Sequence, residues 1–244
     1  MSCATCHYSF AMGWKSCATA TTSMAIGYQS CAAAGRSTVS GFYSCSTNWD
    51  STASGYSARA TNANSTAIGH CPTASGACSS AVGDLVQATG SGSSAFGKNS
   101  CATACKASAV GFYSLATGTD SSAFGYHACA TGVRATALGQ YSCATGACSS
   151  ASGYKVCATG GYSSAFGTTL WATGGESTAM GVYSCATGTD SSAFGRSSCA
   201  TGTSSVALGL TARAVSGSSV ATGMLDTENG WITTGCMDAA SLNY

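Results

Sequence analysis

The 244-residue chain carries a formal net charge of +1, with 7% of its residues charged, one proline (Pro72) and 32 glycines. So even a balance excludes the basic footprint of a nucleic-acid binder and the acidic tail of a solvating segment. A hydrophobic share of 45% excludes disorder, since disordered chains lack apolar residues, and no apolar run reaches the roughly 18 residues of a membrane span.

The chain opens with Met1, Ser2, Cys3, Ala4, Thr5, Cys6 and His7, which lack the basic start and apolar core of a signal peptide. An export route is therefore not visible in the sequence. Cys3, Cys6 and His7 match the C-x-x-C-H pattern of haem attachment. Cys-Ala-Thr is also this chain's recurrent tripeptide, and no second axial ligand accompanies it, so no cofactor is expected.

From Gly13 to Gly223 a glycine stands at every fourteenth position, sixteen times without insertion. A fixed period dictates architecture before any local reading. The unit reads S-x-A-x-G, two variable residues, S-x-A-T-G and two more, as in Ser191–Gly195 followed by Ser198–Gly202. Small and larger residues alternate within each half, the period of a strand. Two short strands and two tight turns describe one coil of a β-solenoid, with a repeat domain over 1–223. Ser163, Ala165, Gly167 and Ala172 exemplify the inward set, which predicts a lumen too thin for anything larger than Ala. Glycine is expected to serve the turns as well as the close approach of backbones.

The fourth position of the unit is large and apolar in Met12, Ile26, Ile68, Val82, Phe96, Val110, Phe124, Leu138, Phe166, Met180, Phe194 and Leu208. Ser40, Ser54, Ser152 and Thr222 interrupt it. Stacked on one face, these side chains predict an apolar stripe too long to be left in water by a soluble monomer, hence self-association along it.

The second half of the unit carries two further columns. One holds Cys3, Cys17, Cys31, Cys45, Cys101, Cys129, Cys143, Cys157, Cys185 and Cys199, ten of the sixteen cysteines. Two residues on, threonine runs unbroken through Thr89, Thr103, Thr117, Thr131, Thr145, Thr159, Thr173, Thr187 and Thr201. Four readings of the cysteines stand open. They are free thiols acting as small hydrophobes, vertical disulfides, interchain disulfides, or metal ligands. Candidate vertical pairs are Cys3–Cys17, Cys31–Cys45 and Cys185–Cys199, whose Cα atoms on neighbouring coils fall within the distance a bridge tolerates, although aligned parallel strands set the Cβ atoms a little far apart. A column of thiols does not converge on a tetrahedral point, so no metal is expected. The regular hydroxyls of the threonine column also suit an ice-binding face.

Nothing in the pattern converges as an active site does. His7, His70 and His127 fall at scattered turn positions, as do Asp50, Asp84, Asp120, Glu176 and Asp190. Aromatic residues after the glycine (Trp14, Tyr28, Phe42, Tyr56, Phe112, Tyr126 and Tyr154) form an edge stripe suited to packing or stacking. Residues 224–244, which include Trp231 and Ile232, leave the period and are expected to cap the last coil or lock a neighbouring chain.

Segments such as Ser65–Gly69 and Ser205–Gly209, alternating with the A-T-G half-repeats, resemble the head repeats of YadA-like trimeric autotransporter adhesins, which are also found in phage and viral fibres. The resemblance covers about residues 3–223. It implies a left-handed parallel β-roll of sixteen 14-residue coils, with three chains side by side through the fourth-position face. It also implies attachment to a host or matrix surface, outside the cell or on a virion. Two features depart from that family: the second position is Ser or Thr in most units, and no stalk or membrane anchor is evident. The expected function is a structural or adhesive fibre rather than an enzyme. Its partners are expected to be other copies of the chain, including end-to-end filaments, and an extracellular surface or receptor.

Overall fold

The alternation in the first half of each repeat becomes one strand, and that in the second half a shorter one. The structure, a computed structural model, describes residues 2–226 and 230–233, and no helix occurs among the described residues. The chain divides into two units, Met1–Tyr126 and His127–Tyr244, and each is an all-β parallel solenoid of 14-residue coils.

In the first unit, Thr66–His70 lies parallel to Thr52–Tyr56 on one side and to Ser80–Asp84 on the other, each residue opposite its equivalent in the next repeat. The shorter strands follow the same rule, as Cys17–Ala18 does with Cys31–Ala32. In the second unit Thr178–Val182 pairs in this way with Ser192–Arg196, and Cys185–Ala186 with Cys199–Ala200. After the last coil, Val220–Asp226 is joined by an antiparallel strand, Gly230–Thr233. The remainder of the expected 224–244 cap lies outside the described residues.

The interior consists of columns of Ala and Ser, as the alternation predicts. Ala67, Ala81, Ala95, Ala165, Ala179 and Ala193 are fully buried, and so are Ser65, Ser79, Ser163 and Ser177. The expectation that nothing larger than Ala fits is overturned by Val39, Val86, Val156, Leu170 and Pro72, all completely buried in the tube. Val39 lies between Ala25 and Ala53 in the ladder, whereas Val156 and Leu170 are register partners in adjacent coils, so the tube absorbs bulk singly and in pairs. Where Val156 and Leu170 replace the usual Ser, the strands Ser150–Ala158 and Ser164–Ala172 run unbroken for nine residues.

Backbone geometry explains the invariant glycine. Gly97 has φ +125°, and a Cβ on it would lie 2.2 Å from the carbonyl oxygen of Gly111 in the next coil. Both the dihedral and the close approach exclude any other residue. The turns differ from expectation. Every seventh residue from Tyr8 to Ser218 adopts the left-handed conformation, and all but Gly92 are non-glycine, with φ between 50° and 58°. Asp50, Asn64, Asn99, Asp120 and Asp190 suit this conformation, because short polar side chains tolerate it. Leu85 and the β-branched Thr22, Thr169 and Thr211 do not. What holds them is the stack: the corner N–H donates to a carbonyl of the preceding coil, as Lys106 does to Ser91 at 2.8 Å and Ser204 to Thr189 at 2.8 Å.

Inner serines close one of the two turns. The Ser163 hydroxyl donates to the Gly160 carbonyl at 2.7 Å, and Ser177 and Ser205 repeat the contact with Gly174 and Gly202. The hydroxyls of Ser191 and Ser198, in one coil, are equally buried but have no hydrogen-bond partner among the described residues.

Gly97→Ala is expected to destabilise by about 3 kcal/mol or more, through backbone strain plus the clash. Leu85→Asn is expected to stabilise by about 0.5–1 kcal/mol by relieving the left-handed corner. Ser163→Ala should cost about 1 kcal/mol, whereas Ser191→Ala, which removes an unpaired buried hydroxyl, should be neutral or stabilising. Urea denaturation of the four variants gives all these signs in one experiment. A Leu85→Asn protein less stable than the parent would contradict the strain argument.

Candidate functional site

Ala points inward, so the residues flanking it in a strand must point out. Three outward columns result, each described within its own unit. The fourth-position side chains are aligned as the repeat predicts. In the first unit Val82, Phe96, Val110 and Phe124 are successive register partners; in the second, Phe166, Met180, Phe194 and Leu208 are. The more open members, Met12, Ile68, Phe96, Phe124, Leu138, Phe166, Met180 and Leu208, are 38–53% exposed. Ile26, Val82, Val110 and Phe194 are half-buried. The outcome is an apolar ladder facing water.

Along the edge after the glycine, Tyr28, Phe42, Tyr56 and His70 stack in series, with ring centroids 4.7, 5.4 and 5.2 Å apart and planes within 16°. Tyr43 and Tyr113, at the adjoining left-handed corner, pack edge-on against Phe42 and Phe112 at 4.5 Å. The column then turns ionic. His70 Nδ1 lies 2.7 Å from Asp84 Oδ1, and Lys98 Nζ lies 3.4 Å from Asp84 Oδ2. These contacts, the histidine first, hold the Asp84 carboxyl below its ordinary range. His70 and Asp84, which looked like scattered turn residues, are thus neighbours at strand ends. Their separation by one full repeat was the available signal. His127 similarly stacks on Tyr141, with centroids 5.4 Å apart, and Arg36 forms an exposed ion pair with Asp50.

On the third column the threonines stand exposed (Thr89, Thr103, Thr117, Thr145, Thr159, Thr173, Thr187 and Thr201) or half-buried (Thr131). Beside them the cysteines form uninterrupted runs. Cys3, Cys17, Cys31 and Cys45 are successive partners in the first unit. In the second, Cys129, Cys143 and Cys157 form one run and Cys185 and Cys199 another. The run from Cys129 to Cys157 was not among the pairs anticipated from sequence. Cys101 stands alone between Gln87 and Leu115. All these cysteines are half-buried free thiols except Cys3, which is exposed. Cys6, of the C-x-x-C-H pattern, donates its thiol to the Thr19 carbonyl at 3.0 Å. Among the described residues no three His, Cys, Asp or Glu side chains converge as a metal cage would require.

Neighbouring thiols in a run share protons. A hydrogen bond from Cys31 draws Cys45 down to about 7, against 9.0 for an ordinary thiol, and Arg59 assists. The same bond, reinforced by burial, pushes Cys31 up. Cys143 likewise draws Cys129 down to about 7 and is itself pushed up, chiefly by that bond. Cys157 is raised by its contact with Cys143, and Cys101 by burial alone. Each pair thus behaves as a thiol–thiolate couple that loses its first proton near neutrality and holds the second.

At pH 7 a thiol of pKa about 7 is half ionised and one of pKa about 9 roughly 1% ionised, while the nucleophilicity lost with lower pKa returns roughly a factor of ten. Iodoacetamide is therefore expected to alkylate Cys45 and Cys129 about fivefold or more faster than Cys101 at pH 7. Their rates should level off above neutrality while that of Cys101 keeps rising past pH 9. Mass spectrometry of peptides from a timed reaction reads the order, and equal rates at all three would refute proton sharing.

Residues 18–44, 50–70, 102–128, 130–155, 158–184, 172–198 and 200–224 match the YadA head domain repeat. No match is found among curated proteins. The matched segments span more than half of the chain and follow its coil period, and the chain belongs to the YadA head repeat family.

Proposed function

We propose that this chain is a structural or adhesive head of a surface appendage, assembled from identical chains packed side by side through the fourth-position stripe. YadA-like heads are trimeric surface adhesins, and three copies is the assembly proposed here. The observation that carries the reading is the exposed apolar ladder. Phe166, Met180, Phe194 and Leu208 are adjacent in register on a protein whose interior holds mostly Ala and Ser. Covering one such phenylalanine removes several tens of Å² of apolar surface from water, about 2 kcal/mol at the usual coefficient. A ladder of them offers more than enough to offset the entropic cost of association. The alternating strands leave the threonine and aromatic columns pointing elsewhere, free to meet a receptor or matrix. No helix among the described residues is long and apolar enough to cross a membrane.

A second reading, ice binding, draws on the exposed threonine column of the second unit, Thr145 to Thr201, whose hydroxyls recur at about the 4.8 Å strand spacing. The family match favours the first.

Sedimentation equilibrium of the full chain is expected to give three times the mass of the single chain. Phe166→Asp combined with Phe194→Asp should return it to a monomer, because it buries two charges in the interface. A wild-type protein that stays monomeric at high concentration refutes the stripe as an assembly face. Thermal hysteresis in the same preparation would then support ice binding in its place.

A further inference from the structure

The thiol runs serve neither the apolar stripe nor the threonine column, and their geometry is specific. Registered neighbours in a parallel sheet are about 4.8 Å apart. A disulfide needs Cβ atoms about 3.8 Å apart and sulfurs at about 2.05 Å, so bridging two coils would draw them together by about 1 Å against every other ladder contact. A linear sulfur–metal–sulfur unit, taking the zinc–thiolate length of about 2.3 Å as a guide, spans about 4.6 Å, close to the strand spacing. Tetrahedral and octahedral ions need three or more converging ligands, and among the described residues none converge; a two-coordinate ion needs only a pair.

We propose that the paired ladder cysteines, Cys31–Cys45 foremost and Cys129–Cys143 and Cys185–Cys199 with them, bind a soft monovalent cation, Cu(I) or Ag(I), in linear two-coordinate fashion between adjacent coils. The two cysteines of each pair are direct register partners on adjacent coils, on the same outward column: Cys31 opposite Cys45, Cys129 opposite Cys143, and Cys185 opposite Cys199. Thiolates select soft ions, and the flanking Ser and Ala residues offer no carboxylate or imidazole to compete. On binding, the two thiols release two protons to solvent and each sulfur donates a lone pair to one cation. The ion enters and stays monovalent, so no electron is transferred. The product is a bis-thiolate of net charge −1. A cation stands ready to balance it in two cases: Arg59 is the register partner of Cys45, and Arg213 that of Cys199.

The test uses the full chain, reduced and kept anaerobic, titrated with Cu(I) in the presence of bathocuproine disulfonate as competitor. Expected results are copper retained against the competitor, and X-ray absorption showing two sulfur neighbours. Cys31→Ser with Cys45→Ser should lose copper in proportion to the pair removed, and Cys143→Ser should lose that of its own run. Cys78→Ser with Cys105→Ser, at exposed turn cysteines outside the column, should lose none. Unchanged urea midpoints would establish that the ladder variants still fold, and a fall in either midpoint would shift the readout to the Arg59→Gln protein, expected to hold copper more weakly. Complete stripping by the competitor, copper content indifferent to the ladder substitutions, or a three- or four-sulfur shell overturns the proposal. So does oxidation of the ladder to neighbour disulfides in preference to copper uptake.

Discussion

Every coil must bring the backbone back to the same place one repeat later, a single strand spacing along, and everything else in the molecule is arranged around that return. The fifth-position glycine makes it possible. With φ near +125° at Gly97 and no room for a Cβ beside the Gly111 carbonyl, the chain passes a point that no other residue could occupy. Once the return is fixed, identical positions become neighbours, and a side chain's company is decided by arithmetic. Phenylalanine meets methionine, thiol meets thiol, and His70 meets Asp84.

This arrangement inverts the usual distribution of apolar bulk. The lumen is filled mostly by Ala and Ser, which bury little area per residue. Cohesion within each unit therefore rests on the parallel ladder and the stacked corners, where each coil contacts chiefly its neighbours. The large apolar side chains of the stripe stand outside, where the proposed assembly would draw on them. Fold and proposed assembly thus draw on different residues.

Much of this was legible in the sequence because periodicity carries it. The recurring glycine specifies coil and register, the alternation separates the interior columns of Ala67 and Ser65 from the exterior, and the recurrence of Phe, Met and Leu at one position draws the stripe. What the sequence hid were departures from the average. Val39 fits the lumen because its ladder neighbours are small, a volume balance that no column-by-column reading computes. The left-handed corners are nearly invisible, since Leu85 or Thr169 gives no hint of φ near 55°; only the sevenfold spacing marks them. The proton sharing in Cys31–Cys45 and Cys129–Cys143 depends on how two thiols turn toward one another, which register permits but does not dictate.

The left-handed corners have an evolutionary consequence. A corner side chain projects from the tube, and its backbone is held by the bond to the coil before it, so its identity is almost free. Tyr, Lys, Arg, Asp, Cys and Ser all occupy equivalent corners. A lineage can rewrite this margin one residue at a time, changing what the molecule displays while the machinery that shapes it stays the same. The solenoid is then a printed page with fixed line spacing, on which the ends of the lines are open to revision.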